Sequence, residues 1–351
     1  MSVHLRAAMT SLPAYVAGKK SPGAIVLASN ESPYGLLPSV AAVIARYADG
    51  VSRYPDMGST RLIAAIAAHH GVDPERIAVG AGSVEVCGQL ATAAVGAGDE
   101  VLFGWRAFEA YPIITAVAGG KAVKVPLTDD HVHDVDAMAA AVTDRTRLVF
   151  LCNPNNPTGT VVGEAELRRL VDNVPDDVLV VIDEAYHEYA DPVAAPDATL
   201  LFPDRPNVAI TRTFSKAYAL AGLRVGYCVG APEVISAVRK CQVPFSVNAL
   251  AQEAAIAALG DAEEVARRAK LTVAERDRVR GALVDAGYEV PRSQGNFVWL
   301  ALGDRTVDFG QFCNDGGVIV RPFAGEGVRV TIGAPGENDR FLELARAFRT
   351  S

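Results

Sequence analysis

Between residues 60 and 230 of this 351-residue chain, short β-rich apolar runs alternate with stretches of helical periodicity. Few architectures bury both kinds of element in that order. The runs Ile77–Gly80, Glu100–Phe103, Lys121–Val125, Leu148–Cys152, Val178–Ile182, Val208–Arg212 and Val225–Val229 predict strands, and Val84–Val95, Ala107–Ala118 and Gly163–Asn173 predict helices between several of them. Strands alternating with helices make a mainly parallel sheet covered on both faces, an α/β fold. The runs lack polar alternation, which places their strands inside. In an open parallel sheet ligands collect at the carboxyl ends of the strands, so the residues that close each run are the first candidates for a site.

After about residue 231 the pattern changes. A long helical region from Ala249 to Ala286 precedes three strand-like runs, Asn296–Leu300, Gly317–Val320 and Val328–Ile332, and a C-terminal helix. That describes a smaller α+β domain. The first 40 residues carry little periodicity and four prolines (Pro13, Pro22, Pro33, Pro38), as a packed arm does. The expected division is an N-terminal arm over 1–40 joining the small domain, a large domain over 41–235 and a small domain over 236–351, in line with about two domains for this length.

Composition narrows the function classes. A formal charge of −8 with no basic run argues against nucleic acid or an anionic membrane as partner. No apolar stretch is long enough to cross a bilayer, and the first ten residues lack the apolar core of a secretion signal. Five scattered cysteines without a Cys-x-x-Cys pair read as reduced core residues, so a cytoplasmic location is expected and no metal.

Chemistry concentrates at predicted strand ends. In Thr211-Arg-Thr-Phe-Ser-Lys216, a lysine closes an apolar strand, with Arg224 eight residues later. Burial and nearby cations make such an amine nucleophilic near neutrality, suited to condensing with an aldehyde. Thr213, Ser215 and Arg224 supply two hydroxyls and a planar cation, the donors a phosphate monoester needs. Together they suggest pyridoxal phosphate. A solvated surface lysine is the ordinary alternative, and the Ser-x-x-Lys of serine enzymes with a lysine base is absent.

Other segments are read the same way. Gly80-Ala-Gly-Ser-Val-Glu85 follows a strand and opens a helix, as either a tight turn or an anion site does. Phe103-Gly-Trp-Arg-Ala-Phe-Glu-Ala-Tyr111 offers aromatics that stack on a heterocycle or simply fill a core, and alone it reads as core. Asn153-Pro-Asn-Asn-Pro-Thr-Gly159 is a rigid loop presenting amides. Val180-Val-Ile-Asp-Glu-Ala-Tyr186 ends an apolar strand on a carboxylate that needs a cation, either a protonated pyridine nitrogen or a metal. The metal reading belongs to nucleotide hydrolases, and the Gly-x-x-x-x-Gly-Lys loop that would accompany it is missing. Arg321 and Arg329 lie in otherwise apolar strands, where arginine meets an anion from substrate or protein.

In this order, the Asn-Pro-rich loop, Asp-Glu-Ala-Tyr, Ser-Lys with Arg224 and the late arginine resemble the fold-type-I pyridoxal-phosphate aminotransferases. Leu27-Ala-Ser-Asn-Glu-Ser-Pro-Tyr-Gly35, Arg53-Tyr-Pro-Asp56, Gly295-Asn-Phe297 and Val318-Ile-Val-Arg321 are similar to their histidinol-phosphate branch. Leu12-Pro-Ala-Tyr-Val-Ala-Gly-Lys19, Phe103-Gly-Trp-Arg106 and Val243-Pro-Phe-Ser246 are most similar to actinobacterial aromatic (phenylalanine) aminotransferases. The resemblance spans residues 12 to 348, nearly the whole chain.

The resemblance implies Lys216 as the lysine that joins the cofactor aldehyde and shuttles the substrate proton. It implies Asp183 at the pyridine nitrogen, Asn156 and Tyr186 at the ring oxygen, and Phe108 (or Trp105) stacked on the ring. Ser83, Val84, Thr213, Ser215 and Arg224 would hold the phosphate, joined by Tyr54 from the neighbouring subunit of a homodimer with shared sites. Arg329 would grip the substrate anion, with Arg321, Tyr15 and Asn30 lining the pocket. The activity implied is ping-pong transamination between an aromatic amino acid and a 2-oxo acid. Histidinol-phosphate transamination is the alternative, and a decarboxylase of the same fold a more distant one.

Overall fold

The computed structural model describes residues 3, 6, 9–10 and 23–350. Its strands are β1 (Ile25–Val26), β2 (Ile77–Gly80), β3 (Glu100–Trp105), β4 (Lys121–Pro126), β5 (Thr146–Cys152) and β6 (Leu179–Asp183), followed by β7 (Val208–Thr213), β8 (Gly226–Gly230), β9 (Phe297–Leu300), β10 (Val318–Ile319), β11 (Arg321–Phe323) and β12 (Gly327–Thr331). Seven of them form one sheet in the order β2-β8-β7-β6-β5-β3-β4. β8 alone pairs antiparallel with its neighbours, and the remaining pairings are parallel. All seven correspond to runs expected from the sequence, within one or two residues at each end.

Alternation along β5 explains why both faces are covered. Leu148, Phe150 and Cys152 point into a core shared with the helices Ser83–Ala94, Ala110–Ala118 and Pro232–Lys240. Val149 and Leu151 point into the opposite core, which contains Leu167 and Leu170 of the helix Glu164–Asn173. Each such side chain, fully buried, stabilises the fold by about 1.5–3 kcal/mol relative to an exposed one.

The last third of the chain builds a second core around the antiparallel sheet β11-β12-β9, closed by the helices Thr306–Asp315 and Pro335–Thr350. β1 runs parallel to β10, and Thr331 N–H donates to Leu27 O at 2.9 Å, so residues 25–27 join this unit. β1 and β11 have two and three residues, too short to leave a periodic signal in the sequence.

The long helical region expected over Ala249–Ala286 is two helices, Ala249–Gly260 and Ala262–Asp285. The first is apolar nearly all round and packs on the helices Pro38–Arg46 and Thr60–His70. The second is charged on one side, so the two need different directions. Asp261 at the break accepts a hydrogen bond from Ser39 Oγ at 2.5 Å. None of the described helices is long and apolar enough to cross a membrane.

Candidate active site

At the carboxyl ends of β5, β6 and β7 a cavity of about 330 Å³ opens toward β11 and β12. Lys216, Asp183, Asn156 and Arg329 all face it, although 173 residues separate Asn156 from Arg329. Ser83, Val84, Phe108, Tyr186, Thr213, Ser215, Arg224, Asn30 and Arg321 line it too. Trp105 instead packs against Phe103, with Arg106 and Lys124 over its ring, which leaves Phe108 as the aromatic of that segment in the cavity. Tyr54 lies elsewhere, 83% exposed and stacked on Phe245. Tyr15 falls outside the described residues.

The floor is Asp183, the last residue of β6 and 2% exposed. Tyr111 Oη donates to its Oδ2 at 2.8 Å, and Thr211 Oγ1 donates to Oδ1 at 3.1 Å. Burial pushes this carboxyl above its usual range while the two hydroxyls and the Ala185 N–H pull it back. Among the described residues no lysine, arginine or histidine pairs with it. A buried carboxylate with only neutral donors, two hydroxyls and the Ala185 N–H, still calls for a cation from outside the protein. Tyr111 itself is stacked on Phe150, ring centroids 4.5 Å apart at 4°, so its hydroxyl has little freedom.

Lys216 follows β7, and its Nζ donates to Ser29 O at 3.1 Å. Burial, then the charge of Arg329, lowers its pKa from an ordinary 10.5 to about 7, with Glu31 opposing and Arg224 assisting. The lowered pKa brings the neutral amine within reach near neutrality, the condition for nucleophilic use.

Asn156 sits in the loop after β5, whose turn is closed by Gly159 N–H to Asn155 O at 2.7 Å. Its Oδ1 accepts from Arg329 Nη1 at 2.6 Å, which commits its Nδ2 hydrogens to other partners. Tyr186 Oη accepts from Asn30 Nδ2 at 2.9 Å, so its own proton can be donated. Asn30 adopts a left-handed backbone (φ 54°) and is clasped by Thr331 Oγ1 at 2.9 Å and Asn296 Nδ2 at 3.1 Å.

The far end of the cavity is an anion cradle. The helix Ser83–Ala94 begins after Gly82, whose φ of 86° suits glycine alone, and a Cβ there would strike the Arg224 guanidinium. A Cβ on Gly226 would strike Ser83 N. Arg224 Nη1 donates to Ser215 Oγ at 3.2 Å, and Ser215 N–H to Thr213 Oγ1 at 3.1 Å. First-turn N–H groups, hydroxyls and a guanidinium thus converge on one point.

The sequence reading missed Tyr111, Thr211, Thr331 and Asn296 as partners of the site. Tyr111 had a signal, since it stands one helical turn beyond Phe108, but its partner is 72 residues away. Glu109, which meets Arg321 at the cavity mouth, had none.

Comparisons with known proteins identify the family. Residues 22–348 match the family model "Aminotransferase class I and II". The aromatic amino acid aminotransferase of Mycobacteroides abscessus is 56% identical over 349 residues, covering 99% of this chain and 100% of that protein. That of Rhodococcus jostii is 56% identical, covering 98% and 96%. Among solved structures, histidinol-phosphate aminotransferase from Sinorhizobium meliloti in complex with pyridoxal-5'-phosphate superposes with a TM-score of 0.90 at 30% identity, covering 99% of each chain.

Proposed function

The chain belongs to the class I and II aminotransferases, and from that premise we propose that it uses pyridoxal phosphate to move an amino group between aromatic amino acids and a 2-oxo acid. What carries this reading is one cavity that pairs a lysine of lowered pKa with a buried acid that no cation meets among the described residues. The glycine-shaped cradle at Ser83 and Arg224 suits a phosphate, and the lone acid suits a protonated heterocyclic nitrogen, so the residues fit the cofactor.

When bound, pyridoxal phosphate supplies an aldehyde for the amino group and a ring that withdraws electrons from the substrate carbon. Asp183 would keep a proton on the ring nitrogen. Ser83 and Val84, through their N–H groups, would bind the phosphate with Thr213, Ser215 and Arg224. Phe108 would pack against the ring. Asn156 Nδ2 and Tyr186 Oη would donate to the ring oxygen, each side chain fixed by its other partner, Arg329 and Asn30. Lys216 Nζ would offer the attachment point, and its lowered pKa would let it hold the substrate's α-proton. Arg329 would receive the α-carboxylate, with Arg321 and Asn30 around the rest of the substrate.

Aromatic specificity is supported by relatives of that name at 53–56% identity over almost the whole chain. Histidinol phosphate is the second reading, favoured by the Sinorhizobium meliloti structure and by the second arginine. The deciding assay compares phenylpyruvate with imidazole-acetol phosphate, glutamate being the donor in both. We expect kcat/KM for phenylpyruvate to be higher by at least about tenfold, and the reverse order would transfer the chain to the second reading.

The active form in this proposal is a cytoplasmic homodimer. Tyr54, exposed and stacked on Phe245, would reach the phosphate of the partner's site. Sedimentation of the purified protein as a monomer, with Y54F leaving cofactor affinity untouched, would refute this part.

A further inference from the structure

Arg321 and Arg329 are direct cross-strand partners in the β11–β12 pair, so their side chains leave the same face of the sheet. Both enter the cavity, but they are handled differently. Arg329 lies deep, donating to the neutral oxygens of Asn156 and Ala28. Its positive charge is felt at Lys216. Arg321 lies nearer the mouth, and its Nη2 meets Glu109 Oε2 at 2.9 Å. Glu109 stands at the start of the helix Ala110–Ala118, one residue after the cavity-lining Phe108. Two guanidiniums side by side repel, and Glu109 relieves that repulsion by neutralising the outer one.

The consequence concerns the substrate's far end. An amino acid with a neutral ring brings one carboxylate, which Arg329 accepts. A substrate whose far end is anionic brings a second negative charge, which must displace the Glu109 carboxylate from Arg321 or lie against it. We propose that Glu109 is a specificity-determining residue: by occupying Arg321 it tunes the cavity toward substrates with an uncharged aromatic end and against those with a distal carboxylate or phosphate. The inference rests on the aminotransferase reading given above and deepens it. A 2-oxo dicarboxylate acceptor is then taken by opening the same ion pair, in competition with Glu109.

The test uses two unreactive acids on the pyridoxal-phosphate-loaded protein, 3-phenylpropanoate with a neutral ring end and glutarate with an anionic end. Dissociation constants come from calorimetry and from the visible absorbance of the bound cofactor. Removing the Glu109 charge by E109Q should shift the affinity ratio about tenfold toward glutarate, the scale of a close charge pair. E109D, which keeps the charge, should restore the wild-type ratio to within about threefold. R321Q reads the same pair from its other side and should shift the ratio the opposite way, so the proposal stays testable if E109Q does not fold. An unchanged ratio in E109Q or R321Q overturns the proposal, as does an equal change for both acids. Wild-type protein that takes up no pyridoxal phosphate would instead overturn the aminotransferase reading, and this inference with it.

Discussion

Asp183 at the cavity floor is 2% exposed and takes its side-chain hydrogen bonds from Tyr111 and Thr211, whereas Arg321 and Glu109 at the mouth have side chains 18% and 31% exposed and hold each other by charge. The floor is assembled from β6, β7 and a helix packed on the parallel sheet. The mouth joins the segment after β3 to the β11–β12 hairpin, where Arg106 and Glu326 form a second ion pair. Water cannot replace a donor lost from the floor, so the full cost of an unmet carboxylate remains. At the mouth, solvent and ions substitute for a lost partner. The floor is thus suited to holding one charge state, and the mouth to exchanging one anion for another.

Breaking the floor should have the largest effects. Replacing Lys216 with Ala removes both the attachment point and the proton carrier, and we expect turnover to fall by at least about a thousandfold. The visible absorbance that appears on adding cofactor should vanish with it. Replacing Asp183 with Asn should lower kcat by roughly two orders of magnitude, because a neutral amide no longer stabilises the ring proton. A yellow, fully active K216A protein would end the proposed assignment.

Tyr111 separates a bracing role from mere packing. Phe at this position keeps the stack on Phe150 and removes one hydrogen bond to a buried carboxylate, worth about 1.5–3 kcal/mol. We expect Y111F to weaken cofactor binding about tenfold in the wild-type background and much less in D183N. Equal losses in both backgrounds would mean that Tyr111 acts on the core and not through Asp183.

How much of this was legible beforehand depended on sequence distance. The seven strands of the large sheet, Lys216, Asp183 and the Asn-Pro loop were readable because each is a local pattern at a strand end. The break at Asp261 was hidden because both flanking segments have good helix formers, and what divides them is the surface each meets. β11 was hidden by its length. Tyr111 looked like one more core aromatic, which it also is: its ring fills the core and its hydroxyl serves the site. The pair of Glu109 with Arg321 spans 212 residues, and only the folded chain brings them together.

pH tests the floor in another way. Lys216 has a pKa lowered from 10.5 to about 7, so between those values the unfolded chain binds more protons than the folded one. The stability of cofactor-free protein should therefore rise with pH through that window, with no contribution to the slope below about 7. K216M should flatten the same part of the profile in denaturant titrations. The rate of cofactor uptake should climb to about pH 7 and level off, whereas an ordinary lysine would keep it climbing toward 10.5.

The smallest effect sharpens the comparison most. Arg106 Nε donates to Glu326 Oε2 at 2.8 Å while its guanidinium lies 4.3 Å from the Trp105 ring centroid. The glutamate side chain is 36% exposed, so E326Q should cost no more than about 1 kcal/mol of stability. That cost should fade as salt is raised from about 0.1 M to 1 M, where the screening length drops from about 10 Å to 3 Å. The Y111F penalty on cofactor binding, measured over the same range, should stay constant once the phosphate's own salt dependence is subtracted using wild-type protein. If E326Q keeps its full cost at high salt, the mouth is held by packing of Arg106 between Trp105 and Phe323 and not by charge, and the distinction between floor and mouth fails at that pair.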